Sequence, residues 1–439
     1  MKLRSLIPSL LSIAVASSAA FADPCKPTFD VTVGTPGSPS TVTLLYPTDY
    51  FSPGTQRMVV GGNIATLGGV PGMNGVGVWD GTTFSPLASG LTNGASTFEV
   101  LSAQTFGGKL YIGGQFSGAV GGPASRAIIR WNGTAFETVN ADTEASAVAV
   151  RSMAVYKNEL YIGGSIPRVG TLNTNGIAKL NATGDDFLPV GAGILTGAFI
   201  WDMVVFNDGS GEKLYVCGNF TRVFNDITGE VAGTRWIARW DGTQWESVGG
   251  GIVSGGATSY PKDLIVFDDG TGPALYTAGG RSTASGAGIE SAVHKWNGAQ
   301  WAAVPGFHDA ILDTASTISA AGLTNYGGGT TILAQVRFSE IGGANARQAL
   351  VRLENGRFKL VPGTLFGTDS VQEIATISDP TGPKTWIAGS FTSVQGQATN
   401  RLAIITGCTQ YCPADFNEDG IISIDDLFLY INAYFTGCP

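Results

Sequence analysis

Leu110-Tyr-Ile-Gly-Gly-Gln-Phe116, followed by Ile128-Ile-Arg-Trp-Asn-Gly133 and Phe136, is one of seven variants of a single unit. Its first half returns as Met58-Val-Val-Gly-Gly-Asn-Ile64, Leu160-Tyr-Ile-Gly-Gly-Ser-Ile166 and Leu214-Tyr-Val-Cys-Gly-Asn-Phe220, and more loosely around Gly279, Val336 and Gly389. Taking the second glycine as marker (62, 114, 164, 218, 279, 336, 389), the period is 50 to 61 residues. Such self-similarity fixes an architecture before any local reading does.

The second half of the unit repeats as well. Trp79, Trp131, Leu180, Trp240, Trp296, Leu353 and Ile405 stand 16 or 17 positions after their markers, with Trp240 at 22. A turn dipeptide follows most of them (Asp80-Gly81, Asn132-Gly133, Asp241-Gly242, Asn297-Gly298, Asn355-Gly356), and then another ring: Phe84, Phe136, Phe187, Trp245, Trp301 or Phe358. Asn-Gly and Asp-Gly tolerate positive φ at both central positions, so two-residue hairpins are expected there. In Ile237-Ala-Arg-Trp240 the arginine takes one face, and Arg130, Lys179, Lys295 and Arg352 fill the same place elsewhere. Period-two alternation of this kind marks a half-buried strand. Four antiparallel strands per unit of about 50 residues predict an all-β, seven-bladed β-propeller over residues 23–408.

Lys26-Pro-Thr-Phe-Asp-Val-Thr-Val-Gly34 reads as a fourth strand without its unit, while the seventh repeat stops after its third strand, Arg401-Leu-Ala-Ile-Ile-Thr-Gly407. The N-terminal strand is therefore expected to complete the last blade, which removes free sheet edges. Cys25 and Cys408 flank these two orphan strands, and a disulfide between them would staple the closure in an oxidising compartment. A Cys408–Cys412 pair is the rival, and Cys412 with Cys438 would clasp the tail. Cys217 falls inside a strand and reads as a buried free thiol.

Residues 1–22 have the pattern of a secretory signal: Lys2 and Arg4, an apolar run from Leu6 to Ala20, and an Ala20-Phe21-Ala22 cleavage site. No other stretch reaches transmembrane length, so a secreted protein is expected, extracellular or held at the cell surface. Losing two cations takes the formal charge from −9 to −11, which disfavours nucleic-acid partners.

Chemistry in the repeats is sparse. Asp202 and Asp263 begin the first strands Met203-Val-Val-Phe206 and Leu264-Ile-Val-Phe267, Glu373 sits near the same place before Ile374, and Ser152 occupies it in another repeat. Innermost strands line the centre of a propeller, so these three carboxylates are the candidate catalytic or cation-binding groups, against a plain polar channel. The two histidines, His294 and His308, are too few for a paired metal site, and His294 replaces Ala238 of an earlier repeat as a packed residue. Asn132, Asn181 and Asn219 match glycosylation acceptors. Asp208-Gly-Ser-Gly211 and Asp269-Gly-Thr-Gly272 read as hairpin turns.

In period and aromatic placement the repeats resemble kelch-like propellers of the galactose-oxidase type, over about 385 residues. The copper ligands and redox tyrosine of that oxidase have no counterpart, so the resemblance implies the fold and no activity.

Residues 409–439 differ. Asp415-Phe-Asn-Glu-Asp-Gly-Ile-Ile-Ser-Ile-Asp-Asp426 supplies oxygen donors from Asp415, Asn417, Asp419, Ser423 and Asp426, with the Ile421 carbonyl and the sharp-turn Gly420 between them. That spacing suits calcium, and a helix with Leu427, Phe428, Ile431 and Phe435 on one face is expected to follow. The loop resembles the type I dockerin repeat, present once where that family carries two. The resemblance implies docking to a cohesin-like or cell-surface receptor. The function expected is a secreted, non-catalytic binding or display propeller, taking a polysaccharide or protein ligand on its face and retained by its calcium tail. The alternative is an extracellular carbohydrate-active enzyme, a lyase or hydrolase, working through Asp202, Asp263 and Glu373.

Overall fold

The computed structural model describes residues 25–410 apart from 36, 38, 93–97, 140–148, 170–171, 182, 185, 195–198, 257–258, 289, 306–316, 327–328, 340–345, 362–363, 365, 367–368 and 380–381. The signal-like segment 1–22, His308, Cys412, Cys438 and the whole 415–426 loop with its expected helix lie outside these residues.

The described chain is all-β. Strand pairing gives seven four-stranded antiparallel units, each a meander in chain order. In the second unit Glu99–Phe106, Lys109–Gln115, Ile128–Trp131 and Phe136–Thr138 follow one another. The seventh departs in the expected way: Val371–Asp379, Gly382–Gly389 and Leu402–Gln410 are completed by the N-terminal Cys25–Asp30. A single bridge between Gly280 and Thr317 also links the fifth unit to the sixth. First strands adjoin in order, from Thr41–Thr48 through Glu99–Phe106 and onward to Val371–Asp379. The last of them lies against the first again.

Seven apolar clusters among the described residues each join two consecutive units. Each sheet alternates its side chains between two faces and buries both against neighbours. The cluster between the last unit and the first holds the fully buried Trp386, edge-on to Trp79 at 5.8 Å and to Phe84 at 6.4 Å. The repeated ring pairs face one another across the third and fourth strands: Trp79–Phe84, Trp131–Phe136, Trp240–Trp245 and Trp296–Trp301 have centroids 4.7 to 5.3 Å apart. Ile405 pairs with Phe29 in the same register, so the N-terminal strand supplies the missing ring.

Two expectations are corrected. The Asp-Gly and Asn-Gly turns are four-residue loops in four units. Only the glycines (Gly81, Gly133, Gly242, Gly298) take positive φ, while the Asp80, Asn132, Asp241 and Asn297 side chains accept backbone N–H groups two and three residues on. The aspartate or asparagine is chosen for this side-chain acceptor. The two-residue form occurs at Asn355-Gly356, where both residues have positive φ and Glu354 pairs with Arg357. The second correction concerns Cys408, which lies within a strand, not after it. The ladder runs on because its partner arrives from the other end of the chain and no hairpin has to form. The register sets Cys408 opposite Pro27 and Cys25 opposite Gln410, two positions apart on adjoining strands. The side chains of both cysteines lie outside the described residues.

The marker glycines have a physical cause. Every first strand carries a bulge, and the marker pairs with the residue before it: Gly62 with Val42, Gly114 with Val100, Gly164 with Val150, Gly218 with Ile200, Gly279 with Pro261, Gly389 with Val371. A Cβ at any of these six would stand 2.0 to 2.5 Å from a backbone carbonyl oxygen of the facing strand. In the sixth unit Val336 takes the place, and there the second and third strands stay paired beyond it, through Arg337–Gln348 to Ser339–Ala346. We expect Gly164→Ala, whose Cβ would lie 2.1 Å from the Ala149 oxygen, to lower stability by on the order of 3 kcal/mol. Urea unfolding of the variant beside the parent chain checks this; an unchanged midpoint would refute the close-approach account.

Candidate functional site

In six of the seven first strands the bulge brings two consecutive residues to a common central cavity; the sixth contributes Ser319 and Ala321 instead. The residues past the bulge are Leu44, Ser102, Ser152, Asp202, Asp263, Ala320 and Glu373, in equivalent register. All three candidate carboxylates therefore occupy one structural position in three different units, with Ser152 beside them as the sequence suggested. Asp202, Asp263 and Glu373 line a single cavity of about 550 Å³ to which all seven first strands contribute. Each side chain keeps partial exposure and lines this space.

Asp202 is held from three sides. Its Oδ1 accepts from Ser152 Oγ at 2.9 Å and from the Met203 N–H at 2.8 Å, and its Oδ2 accepts the Leu264 N–H of the next unit at 2.9 Å. Burial pushes its carboxyl above the ordinary range, and these hydrogen bonds oppose the shift. Asp263 repeats the gesture toward the Ala321 N–H one unit further on, while its Oδ2 is buried without a partner. Burial, then the charge of Asp202, drive Asp263 well above the carboxylate range, with Lys262 pulling the other way. Glu373 is raised well above its range by burial and then by Asp263 and Asp202. Upstream, Ser102 Oγ donates to the Val150 carbonyl at 3.2 Å and Thr43 Oγ1 to the Val100 carbonyl at 2.8 Å. Polar side chains at or beside the bulges thus tie the first strands of units one to six in succession. No group of three or more His, Cys, Asp or Glu side chains among the described residues is placed to hold a metal ion.

Residues missed by the sequence reading are the bulged ones themselves: Arg151, Trp201 and Lys262 line the same cavity. The Arg151 guanidinium lies 4.4 Å from the Trp201 ring centroid, the Lys262 ammonium lies 5.5 Å from it, and Tyr260 stacks on Trp201 at 6.2 Å. Burial lowers both cations' affinity for their protons, partly offset at Arg151 by Glu99 and at Lys262 by Asp263. Their only trace in the sequence is a break in alternation at the head of each first strand.

The remaining expected residues are structural. Cys217 is fully buried and free, its thiol pushed well up by burial and then by Asp202 and Asp263. His294 is 1% exposed in a middle strand, and burial lowers its pKa to about 4 against a hydrogen bond at the Ser282 backbone. The Asp208 turn does more than reverse the chain. Its carboxylate accepts from Tyr215 Oη at 2.6 Å, from Arg239 and from Trp296 Nε1 of the next unit at 3.2 Å. Burial would raise that carboxyl, but the donors hold it at about 2. Asp269 binds Tyr276 at 2.8 Å and Lys295 at 2.6 Å in the same manner.

No protein-family model and no curated protein matches this chain. Among solved structures, one similar chain is an extracellular domain ascribed to a one-component system of B. thetaiotaomicron, 13% identical with a TM-score of 0.49. It covers 86% of this chain, which in turn spans 39% of that longer one. Another is a protein from Lactobacillus plantarum, 14% identical with a TM-score of 0.42, covering 79% of this chain and 98% of its own. Among the described residues no helix is long and apolar enough to cross a membrane.

Two titrations follow. Between pH 6.5 and about 4 the folded chain binds fewer protons at His294 than the unfolded chain. The stability tied to neutral His294 is therefore complete above pH 6.5 and lost as the pH falls to about 4, up to ~3 kcal/mol. Urea melts at pH 7 and pH 4.5 should show a smaller acid loss for His294→Gln than for the parent. Glu373 has the opposite sign. Its pKa rises on folding, so its contribution declines as the pH climbs above the unfolded value near 4.3. Glu373→Gln should raise the melting temperature at pH 7, and a fall would show that the charged carboxylate is stabilising.

Proposed function

We propose that this chain is a secreted, seven-bladed β-propeller that binds and displays, carrying a calcium-dependent docking module at its C-terminus. The cyclic succession of first strands, the apolar cluster between each pair of neighbours and the N-terminal strand in the last sheet support the blade count. A binding role, not a catalytic one, rests on a single observation. Asp202 and Asp263, the best candidates for catalysis, accept backbone N–H groups of the following unit and so serve to hold the sheets together. A catalytic carboxylate has to be free to exchange a proton with substrate.

The module comprises Asp415, Asn417, Asp419, Ile421, Ser423 and Asp426 as calcium ligands, with a cohesin-like or cell-surface protein as its partner. The signal-like residues 1–22 support export. One observation favours the second reading, a carbohydrate-active enzyme: Asp263 and Glu373 have raised pKa values beside a cavity of substrate size, as a general acid requires.

The mature chain, with and without residues 409–439, would serve as bait for the secreted and surface fraction of the parent organism, in calcium and in chelator. Retention of a partner that needs both tail and calcium is expected. Capture that survives chelation or truncation would refute docking. Polysaccharide breakdown by the parent chain that disappears in Asp263→Asn or Glu373→Gln would replace the binding reading with the enzymatic one.

A further inference from the structure

Arg151, Trp201 and Lys262, on neighbouring first strands, line the cavity and carry hydrogen-bond donors and no acceptors. Arg151 Nε and Trp201 Nε1 are buried without a partner, and neither the Arg151 guanidinium nor the Lys262 ammonium has a hydrogen bond or ion pair among the described residues. Other cations in the units are used differently: Arg130, Lys179, Arg239 and Lys295 each sit on a carboxylate at 2.6 to 2.9 Å, or closer. Trp240 and Trp386 also have unpaired ring nitrogens, but they are sealed in the clusters between units, whereas Trp201 lines an open space. A buried donor left unpaired costs about 1–3 kcal/mol, and two like charges held together add to that cost. An anion beside the guanidinium and the ammonium relieves that repulsion.

The arrangement is also preorganised. A guanidinium fixed against an indole keeps its edge donors in one plane, the geometry that receives a carboxylate through two parallel hydrogen bonds. Lys262 adds a second charge to the same ring. Around them Glu99, Gln104 and Gln372 line the cavity, offering donors and acceptors that match hydroxyl groups. A flat aromatic acid would leave those groups unpaired; a ring bearing both a carboxylate and hydroxyls would satisfy them. About 550 Å³ falls within the ordinary size of small-molecule sites.

We infer that Arg151, Trp201 and Lys262 form a binding site for a sugar acid, its carboxylate on the two cations and its hydroxyls on the polar wall. The inference deepens the binding reading and rests on it. Since Asp263 and Glu373 are held toward their neutral forms, the cavity does not oppose an anion as four ionised carboxylates would.

Calorimetric titration of the full chain with galacturonate, glucuronate and digalacturonate would test it, with glucose, benzoate and inorganic sulfate as the other arms. Saturable binding of at least one uronate is expected, with glucose, benzoate and sulfate weaker by about tenfold or more. Trp201→Leu removes the ring that holds the Arg151 guanidinium, so it should weaken the uronate. Arg151→Gln and Lys262→Gln should each weaken it by about tenfold or more. Equal binding of glucose would refute the role of the cations, and equal binding of benzoate or sulfate would refute the sugar. Binding of no probe would overturn the site and leave tail-dependent docking standing. Uronate binding untouched by all three variants would place the ligand elsewhere on the molecule.

Discussion

Six glycines stand where any side chain would collide with the carbonyl oxygen of the strand beside them. That close approach is the constraint on which the rest depends. In six of the seven units it accompanies a bulge in the first strand, at the same register, and there the bulge brings two successive residues to the central cavity instead of one; the sixth unit has the bulge with Val336 in the glycine's place. A regular strand would have sent one of each pair into an apolar cluster. At Gly218 the close approach and the bulge occur together, and there the centre is lined by the pair Trp201 and Asp202.

What holds the units to one another is of two kinds. Apolar clusters supply most of the stabilisation, because burial scales with area and both faces of each sheet are covered. Near the centre, where the strands border the cavity, hydrogen bonds take over: Thr43 to Val100, Ser102 to Val150, Ser152 to Asp202, and the Leu264 N–H to Asp202. A carboxylate in such a place serves as a spacer with two acceptors. Asp202 and Asp263, which look catalytic in a list of residues, do this work, and among the groups left over are the cations Arg151 and Lys262.

The outer turns tell a similar story. Asp208 and Asp269 occupy hairpins, yet each gathers a tyrosine hydroxyl and a cation from its own unit, and Asp208 reaches a tryptophan of the next. The period-two pattern showed that Arg239 and Lys295 face away from their tryptophans. It had no means of showing what they face, because their partners lie in turns 26 to 31 residues away.

The sequence by itself determined the all-β class, the seven units, the ring pairs and the loan of the N-terminal strand to the last sheet. Each of these is written in local terms: a period, an alternation, a turn residue, an orphan strand at each end. Glu373, Asp263 and Asp202 were legible as one set because repeats make equivalent positions comparable. Tertiary structure alone showed what two of them touch, since the Leu264 and Ala321 amides on Asp202 and Asp263 belong to other units. It alone brought Arg151, Trp201 and Lys262 together, residues from three repeats with no common letter. A bulge shifts which side chains face inward and leaves in the sequence only a break in alternation, which does not say which residues meet; the energy that fixes it comes from strands packed side by side.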